Sequence, residues 1–472
     1  MCYDGEKNER KRRLPRGRLA HVRSMDAAAA GPETGRRTES LNSALTTRRI
    51  IGMDHLEEFL NFAEQSPTAF HAVANLRTEL EKAGFTELRE KNPWLVDGGG
   101  KYYVTRNDSA IIAFSVPRSG FAPFRIAAAH SDSPTFKLKP HFEDAVEGAY
   151  HRLNVEKYGG MIMSTWLDRP LSVAGRLVIR KDERIRTRLV NLDRDAVLIP
   201  NMPIHFNRQV NDGYSWNPQV DLLPLYGEKD AAGGLMKELA EAAGVSPESI
   251  LAHDLFLYSR QPGSIWGAED AFFSCGRIDD LECAFGCMKA FAGSECRDSI
   301  GVCAVFDNEE VGSLSKQGAD STFLYDTLTR VGFALGASDG EIRAAMADGF
   351  MVSADNAHAV HPNHPEKYDK QNRVYMNRGV VIKHNANQKY TTDAVSDAIF
   401  TMVCERAGVP VQHFSNRSDI PGGSTLGNLS NAHVSMNTVD IGLAQLAMHS
   451  ACETAGTRDL DYLIRAMEAF WN

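Results

Sequence analysis

The sequence predicts an α/β protein interrupted by a β-rich insertion, and three observations carry that reading. Helical and apolar strand patterns alternate over residues 53–140 and again over 260–472. Between them, 141–259 holds short β-rich segments with frequent turn signals and one convincing helix. Several of the apolar strands stop abruptly at His, Asp or Glu; each alone is more often an ordinary surface or core residue, and it is their number that points to a site. With 472 residues, 43% of them hydrophobic, the chain can fill more than one core.

Composition excludes several functions. A net charge of -9 and a pI near 5.9 leave no basic field to attract nucleic acid or an anionic membrane. No apolar run approaches the ~20 residues of a membrane span. The eight cysteines include no Cys-x-x-Cys pair, and Cys283 and Cys287, four apart in a helical pattern, suit core packing. A reducing, cytoplasmic compartment is expected. Residues 1–52 are Arg-rich and aperiodic, with acidic residues that argue against a transit peptide. They read as a disordered extension or a misassigned start, with Met53 the true beginning.

From Asp54 the pattern is regular. Leu56, Phe59, Leu60 and Ala63 repeat at helical spacing. Ser66-Pro67-Thr68 interrupts the helix, Val73, Leu76 and Leu80 continue it, and Gly84 closes it. Residues 101–105 and 110–116 read as a hairpin. A strand over 125–129 delivers His130, and Asp132 stands where it can accept the second ring proton of that histidine. In the insertion, strands are expected over 171–180, 185–190 and 196–200, and a helix over 228–243. A loop with two prolines there sets His205 close to Arg208. Beyond 260, Asp279 and Asp280 open a helix that runs to Phe291, where capping would explain both. Strands over 300–306 and 350–354 follow, separated by a helix over 321–335. Residues 379–382 lead straight into Lys383. A helix over 392–406, a strand over 409–414, a Gly-rich loop over 421–427 and a helix over 459–470 complete the chain. The loop lacks the strand–loop–Lys arrangement of a phosphate cradle.

Asp307, Glu309 and Glu310 stand where the 300–306 strand ends. Adjacent carboxylates can share one site only where the backbone turns, and Gly312 and Ser313 supply a turn. His130 and Asp355 also follow strands, Asp279 stands at a helix start, and His449 arrives near the C-terminus. Sites in open α/β sheets form beyond the carboxyl ends of strands, so these residues can converge. Two His with three or four carboxylates and no Cys suit a pair of Zn2+ or similar divalent ions, with Co2+ and Mn2+ as candidate replacements. One carboxylate must bridge two dications ~3.5–4 Å apart, and another should stay unligated to take a proton from water. Glu309-Glu310 fits that division, one ligand and one base.

With these residues in hand, the sequence resembles the aspartyl aminopeptidase family of di-zinc metallopeptidases from about Met53 to the C-terminus. Seven motifs carry the resemblance, in order: Ser66-Pro-Thr-Ala-Phe-His-Ala72, Ala129-His-Ser-Asp-Ser-Pro134, Gly276-Arg-Ile-Asp-Asp280, Asp307-Asn-Glu-Glu-Val-Gly-Ser313, Ser353-Ala-Asp-Asn-Ala-His-Ala-Val-His-Pro362, Ile382-Lys-His-Asn-Ala-Asn387 and Leu446-Ala-Met-His-Ser450. The resemblance implies a mixed-sheet catalytic domain (53–140 and 260–472) with an inserted dimerisation domain (141–259). It implies His130 and Asp355 on one zinc, Glu310 and His449 on the other, Asp279 bridging, Glu309 as general base and Asp132 orienting His130. It further implies dodecamers built from dimers, in which His205 reaches a neighbouring subunit's site, and peptide substrates beginning with Asp or Glu. Such substrates need a cation, for which Lys383 is the candidate, with His358 and Tyr390 beside it. Preference for neutral residues, another di-zinc hydrolase and a non-catalytic shell protein stay open as alternatives.

Overall fold

A nine-stranded mixed sheet underlies the candidate site in the computed structural model of the chain, which describes residues 53–472. The expectation for 1–52 lies outside the described residues. The strand order is Thr86–Leu88, Lys101–Arg106, Ala110–Ser115, Ile300–Phe306, Phe124–His130, Phe350–Ala354, Asn437–Gly442, Val380–His384, Val411–Ser415. Its centre is parallel, which requires helices on both faces and strands apolar on both sides. Ala127, Ala129, Cys303 and Val305 therefore face a layer that includes the helices Ala69–Lys82, Ile278–Gly293, Ala394–Ala407 and Asp459–Trp471. Their alternates Ile126, Ala128, Val302 and Ala304 face Phe323–Ala334, Asp339–Ala347 and Leu426. Cys283 and Cys287 are buried in the first layer.

A six-stranded antiparallel sheet comprises, in spatial order, Arg184–Asn191, Leu171–Lys181, Ile250–Ser259, Thr135–Val146, Tyr150–Tyr158 and Leu225–Glu228. Phe136, Leu153, Val173 and Leu255 pack there against Leu235 and Leu239 of the helix Gly234–Ala242. The strand Thr135–Val146 runs through the boundary expected at 140. A third sheet joins Ser264–Trp266, Phe272–Cys275, Glu453–Gly456, Ala444–Leu446 and Ala357–His358.

Local expectations hold at the first helical segment (53–65), at the hairpin and at the strand Phe350–Ala354. Gly84, at φ +84°, ends the helix Ala69–Lys82, and Phe85 N donates back to Leu80 O. Three expectations differ. Residues 196–200 make only isolated bridges, to Leu171, Leu225 and Leu167. The helix expected over 228–243 begins only at Gly234, because the left-handed Gly233 separates it from a preceding 3-10 turn. The loop expected over 421–427 gives way at Leu426 to a helix reaching His433. Among the described residues, no helix is long and apolar enough to cross a membrane.

Candidate metal centre

Register brings the candidate ligands to one edge of the large sheet. Phe306 lies opposite His130, and Ser353 lies opposite Ala128, so Asp307 and Asp355 emerge beside His130. After Asp307 the backbone reverses through left-handed Asn308, a 3-10 turn Glu309–Val311, left-handed Gly312 and left-handed Ser313. Asp132 holds this turn from below: Oδ1 accepts from Glu309 N at 3.1 Å and Oδ2 from Glu310 N at 3.2 Å. Tyr158 donates to the same Oδ2 at 2.6 Å and accepts from Asn308 Nδ2 at 2.8 Å. The turn's direction is thereby set by backbone contacts, leaving both glutamate side chains free to face the centre.

Asp279 sits at its middle. Oδ1 is 3.5 Å from His130 Nε2, and Oδ2 is 3.1 Å from His449 Nε2. His449 Nε2 is also 3.3 Å from Glu310 Oε2. His130, Asp279, Asp280 and Asp355 bring ligand atoms within 4.8 Å of one another, as do Asp279, Glu310 and His449, and also His130, Glu309 and Glu310. His130 Nδ1 faces Asp132, 3.1 Å from its carbonyl and 3.4 Å from its Oδ1, and His449 Nδ1 faces Gly160 O at 2.5 Å. Each imidazole thus turns Nε2 inward and has its other nitrogen anchored, the arrangement that metal-binding histidines favour.

The crowded carboxylates need cations or protons beside them. Burial, and the neighbouring carboxylates, push Glu309 up to about 8 and Glu310 and Asp280 well above the carboxylate range. Burial raises Asp355 even against the opposing ammonium of Lys383. Burial would raise Asp279 too, but contacts from His130 and His449 hold it below the usual range. One oxygen each of Asp279, Asp280 and Glu310 is buried without a hydrogen-bond partner. Carboxylate oxygens left unpaired in a crowd of imidazoles and acids fit divalent ions of the zinc type.

Lys383 lies nearby, by a route the sequence did not indicate. Its strand runs antiparallel to Asn437–Gly442, with Ile382 opposite Ile441, so the chain travels away from the site's edge as it reaches Lys383. The side chain reaches back: Nζ donates to Asp355 O at 2.7 Å and Asn356 O at 3.3 Å, and lies 5.2 Å from the Tyr390 ring centroid. His358 is close enough for Lys383, after burial, to lower its pKa. His205 is exposed on the 201–220 stretch and belongs to none of the groups above.

Two participants escaped sequence reasoning as site residues. Asp280, read only as a helix cap, accepts from His130 N at 3.1 Å. Glu453 accepts from both Asp279 N at 3.1 Å and His449 N at 2.6 Å, joining the two histidine-facing segments from behind. Its four-residue strand is too short to show a periodic signal.

The chain matches the family described as aminopeptidase I zinc metalloprotease (M18) over residues 62–471. It is 45% identical over 429 residues to a probable M18 family aminopeptidase 2 of Clostridium acetobutylicum, covering 89% of this chain and 99% of that one. It is 39% identical over 426 residues to the Ectopseudomonas mendocina protein of the same description, covering 88% and 98%. Among solved structures, a cryo-EM complex of Ape4 and Nbr1 is similar at 35% identity and a TM-score of 0.86, covering 89% of this chain and 86% of that one. The mApe1 dodecamer of S. cerevisiae is similar at 29% identity and a TM-score of 0.78, covering 89% and 96%.

Proposed function

The chain belongs to the M18 family of zinc metallo-aminopeptidases, and on that premise we propose that it removes one N-terminal residue, preferentially Asp or Glu, from peptides at a two-zinc centre. The observation that carries this reading is the divided carboxylate of Asp279, one oxygen toward His130 and the other toward His449. His130 and Asp355 would hold one ion, Glu310 and His449 the other, and Asp279 both. When bound, the ions supply Lewis acidity to the scissile carbonyl and to the attacking water. Glu309 takes a proton from that water and returns it to the departing amine. Asp132 keeps Glu309 and His130 in place through the contacts described above.

His205 acts in a neighbouring copy of the chain. Met202, Ile204 and Phe206 flank it with 54%, 47% and 83% of their surface exposed, which supports burial of this stretch against another subunit. The relative mApe1 forms a dodecamer. In such an assembly, with the 141–259 domain forming dimers, His205 donates to the carbonyl oxygen as negative charge develops. His205→Ala should therefore lower kcat by roughly 10²–10³-fold in an oligomer of unchanged size. An unaltered kcat would remove His205 from the reaction.

Lys383, beside Tyr390 and His358, is the cation that would receive an acidic side chain. A second reading has its own observation: Lys383 is 2% exposed and already donates to two backbone carbonyls. In that case it fixes Asp355, and the enzyme prefers neutral residues. Hydrolysis of aspartyl, glutamyl, leucyl and N-acetyl-aspartyl chromogenic amides, with and without a chelator, separates these. Chelator-sensitive cleavage of the free aspartyl and glutamyl amides is expected. Leucyl cleavage in their place would select the second reading, and cleavage of the acetylated compound would reject an aminopeptidase.

A further inference from the structure

A second cluster of metal-type donors lies outside the catalytic group. His384 ends the strand Val380–His384, and His413 lies in the adjacent parallel strand Val411–Ser415. Ile382 pairs with His413 and His384 with Ser415, so both histidines project from the same face of the sheet, where alternate residues align. The helix Ala394–Ala407 presents Asp397 to that face from its first turn. His384 Nε2 is 3.3 Å from Asp397 Oδ2, and His413 Nε2 is 3.2 Å from Asp397 Oδ1. One ligand atom from each residue falls within 4.8 Å of the others.

Several features suit this group to a metal ion. Zinc bonds of ~2.0–2.1 Å in a tetrahedron separate neighbouring ligand atoms by about 3.3 Å, close to the 3.3 and 3.2 Å between each histidine Nε2 and its nearer Asp397 oxygen. The two rings lie 5.6 Å apart at 28°, side by side with both Nε2 atoms turned to one carboxylate. Thr401 Oγ1 donates to Asp397 Oδ1 at 3.0 Å and fixes that carboxylate. Burial holds His384 below its ordinary pKa and so favours the neutral ring, the form that binds metal. The side chains of His384, Asp397 and His413 are 30%, 22% and 44% exposed, leaving an entry path and room for a water ligand.

We propose that His384, His413 and Asp397 form an accessory site for one borderline transition-metal ion per chain, separate from the catalytic centre. Two imidazoles and one carboxylate suit Zn2+, with Co2+, Ni2+ and Cu2+ as competitors. An all-oxygen set would be needed for Ca2+ or Mg2+, and thiolates or thioethers for Cu+. An ion there ties the edge strand Val411–Ser415 and its neighbour Val380–His384 to a helix one residue beyond Lys383, and so steadies the strand from which Lys383 reaches Asp355.

The test is the metal content of the assembled protein, stripped with chelator, reloaded with Zn2+ and dialysed. His413→Gln and Asp397→Asn should each hold one Zn2+ per chain fewer than the parent. Because the readout is a difference, it stands whatever number the catalytic centre holds. The half-exposed His413 can be replaced without opening a core, and elution at the parental size checks assembly. As a second readout, Cu2+ loaded on the parent should show nitrogen couplings from two imidazoles at this site that are lost in His413→Gln. Equal Zn2+ content in the parent and both variants would overturn the site.

Discussion

Glu309→Gln is expected to leave an assembled, metal-loaded protein whose kcat is lower by roughly 10²–10⁴-fold, the usual contribution of a positioned general base. Glutamine keeps the shape of the side chain and removes its ability to take a proton. The turn that carries it is held by the main chain, through Glu309 N and Glu310 N on the Asp132 carboxylate, so the substitution leaves its anchoring intact. The measurement must include metal content, because His130, Glu309 and Glu310 also bring ligand atoms within 4.8 Å of one another. If Glu309 were a ligand, the glutamine variant would lose an ion together with its activity. Full metal content with collapsed kcat and little change in KM identifies the base. Substantial residual turnover would end that assignment.

His130, Glu309, Glu310 and Asp355 stood out because each ends or follows an apolar strand, a feature that sequence reports well. Ile300–Phe306 and Phe350–Ala354 are largely apolar runs buried on both faces, and carboxylates just past their ends break the pattern sharply. Strand direction is not encoded in that way. Val380–His384 looks like its neighbours, yet it runs opposite to Asn437–Gly442, which makes Lys383 a residue that reaches back. Glu453 was invisible for a different reason: its importance lies in accepting two backbone N–H groups from distant segments, which leaves no local spacing. The helix Asp339–Ala347 did have a signal, the Ser338…Glu341 capping box, but its apolar face is short. In the β-rich region, Thr135–Val146 and Tyr150–Tyr158 alternate buried positions with charged exposed ones, which dilutes the apolar signal on which the other strands rest.

Asp279→Asn tests the bridge itself. Its backbone would stay in place, since Asp279 N donates to Glu453 and Asp279 O accepts from Ser133 Oγ at 2.7 Å. The side chain would exchange two equivalent anionic oxygens for one carbonyl and one NH2 group, which points hydrogens at a cation. His130 and His449 would then face an asymmetric neutral group where each now faces an oxygen of one carboxylate. Residues that only support a ligand change metal affinity by about 10–100-fold when altered. A group that ligates two ions should exceed that range, so the variant should lose at least one Zn2+ per chain and its turnover with it. His449→Ala, which removes a ligand from one side alone, is the control and should spare the ion on the His130 side. If Asp279→Asn retained both ions with affinities within a few fold of the parent, the carboxylate would be reduced to a hydrogen-bond partner of two histidines. The two-ion reading would then have to find its bridge in the neighbouring Asp280 or Glu310.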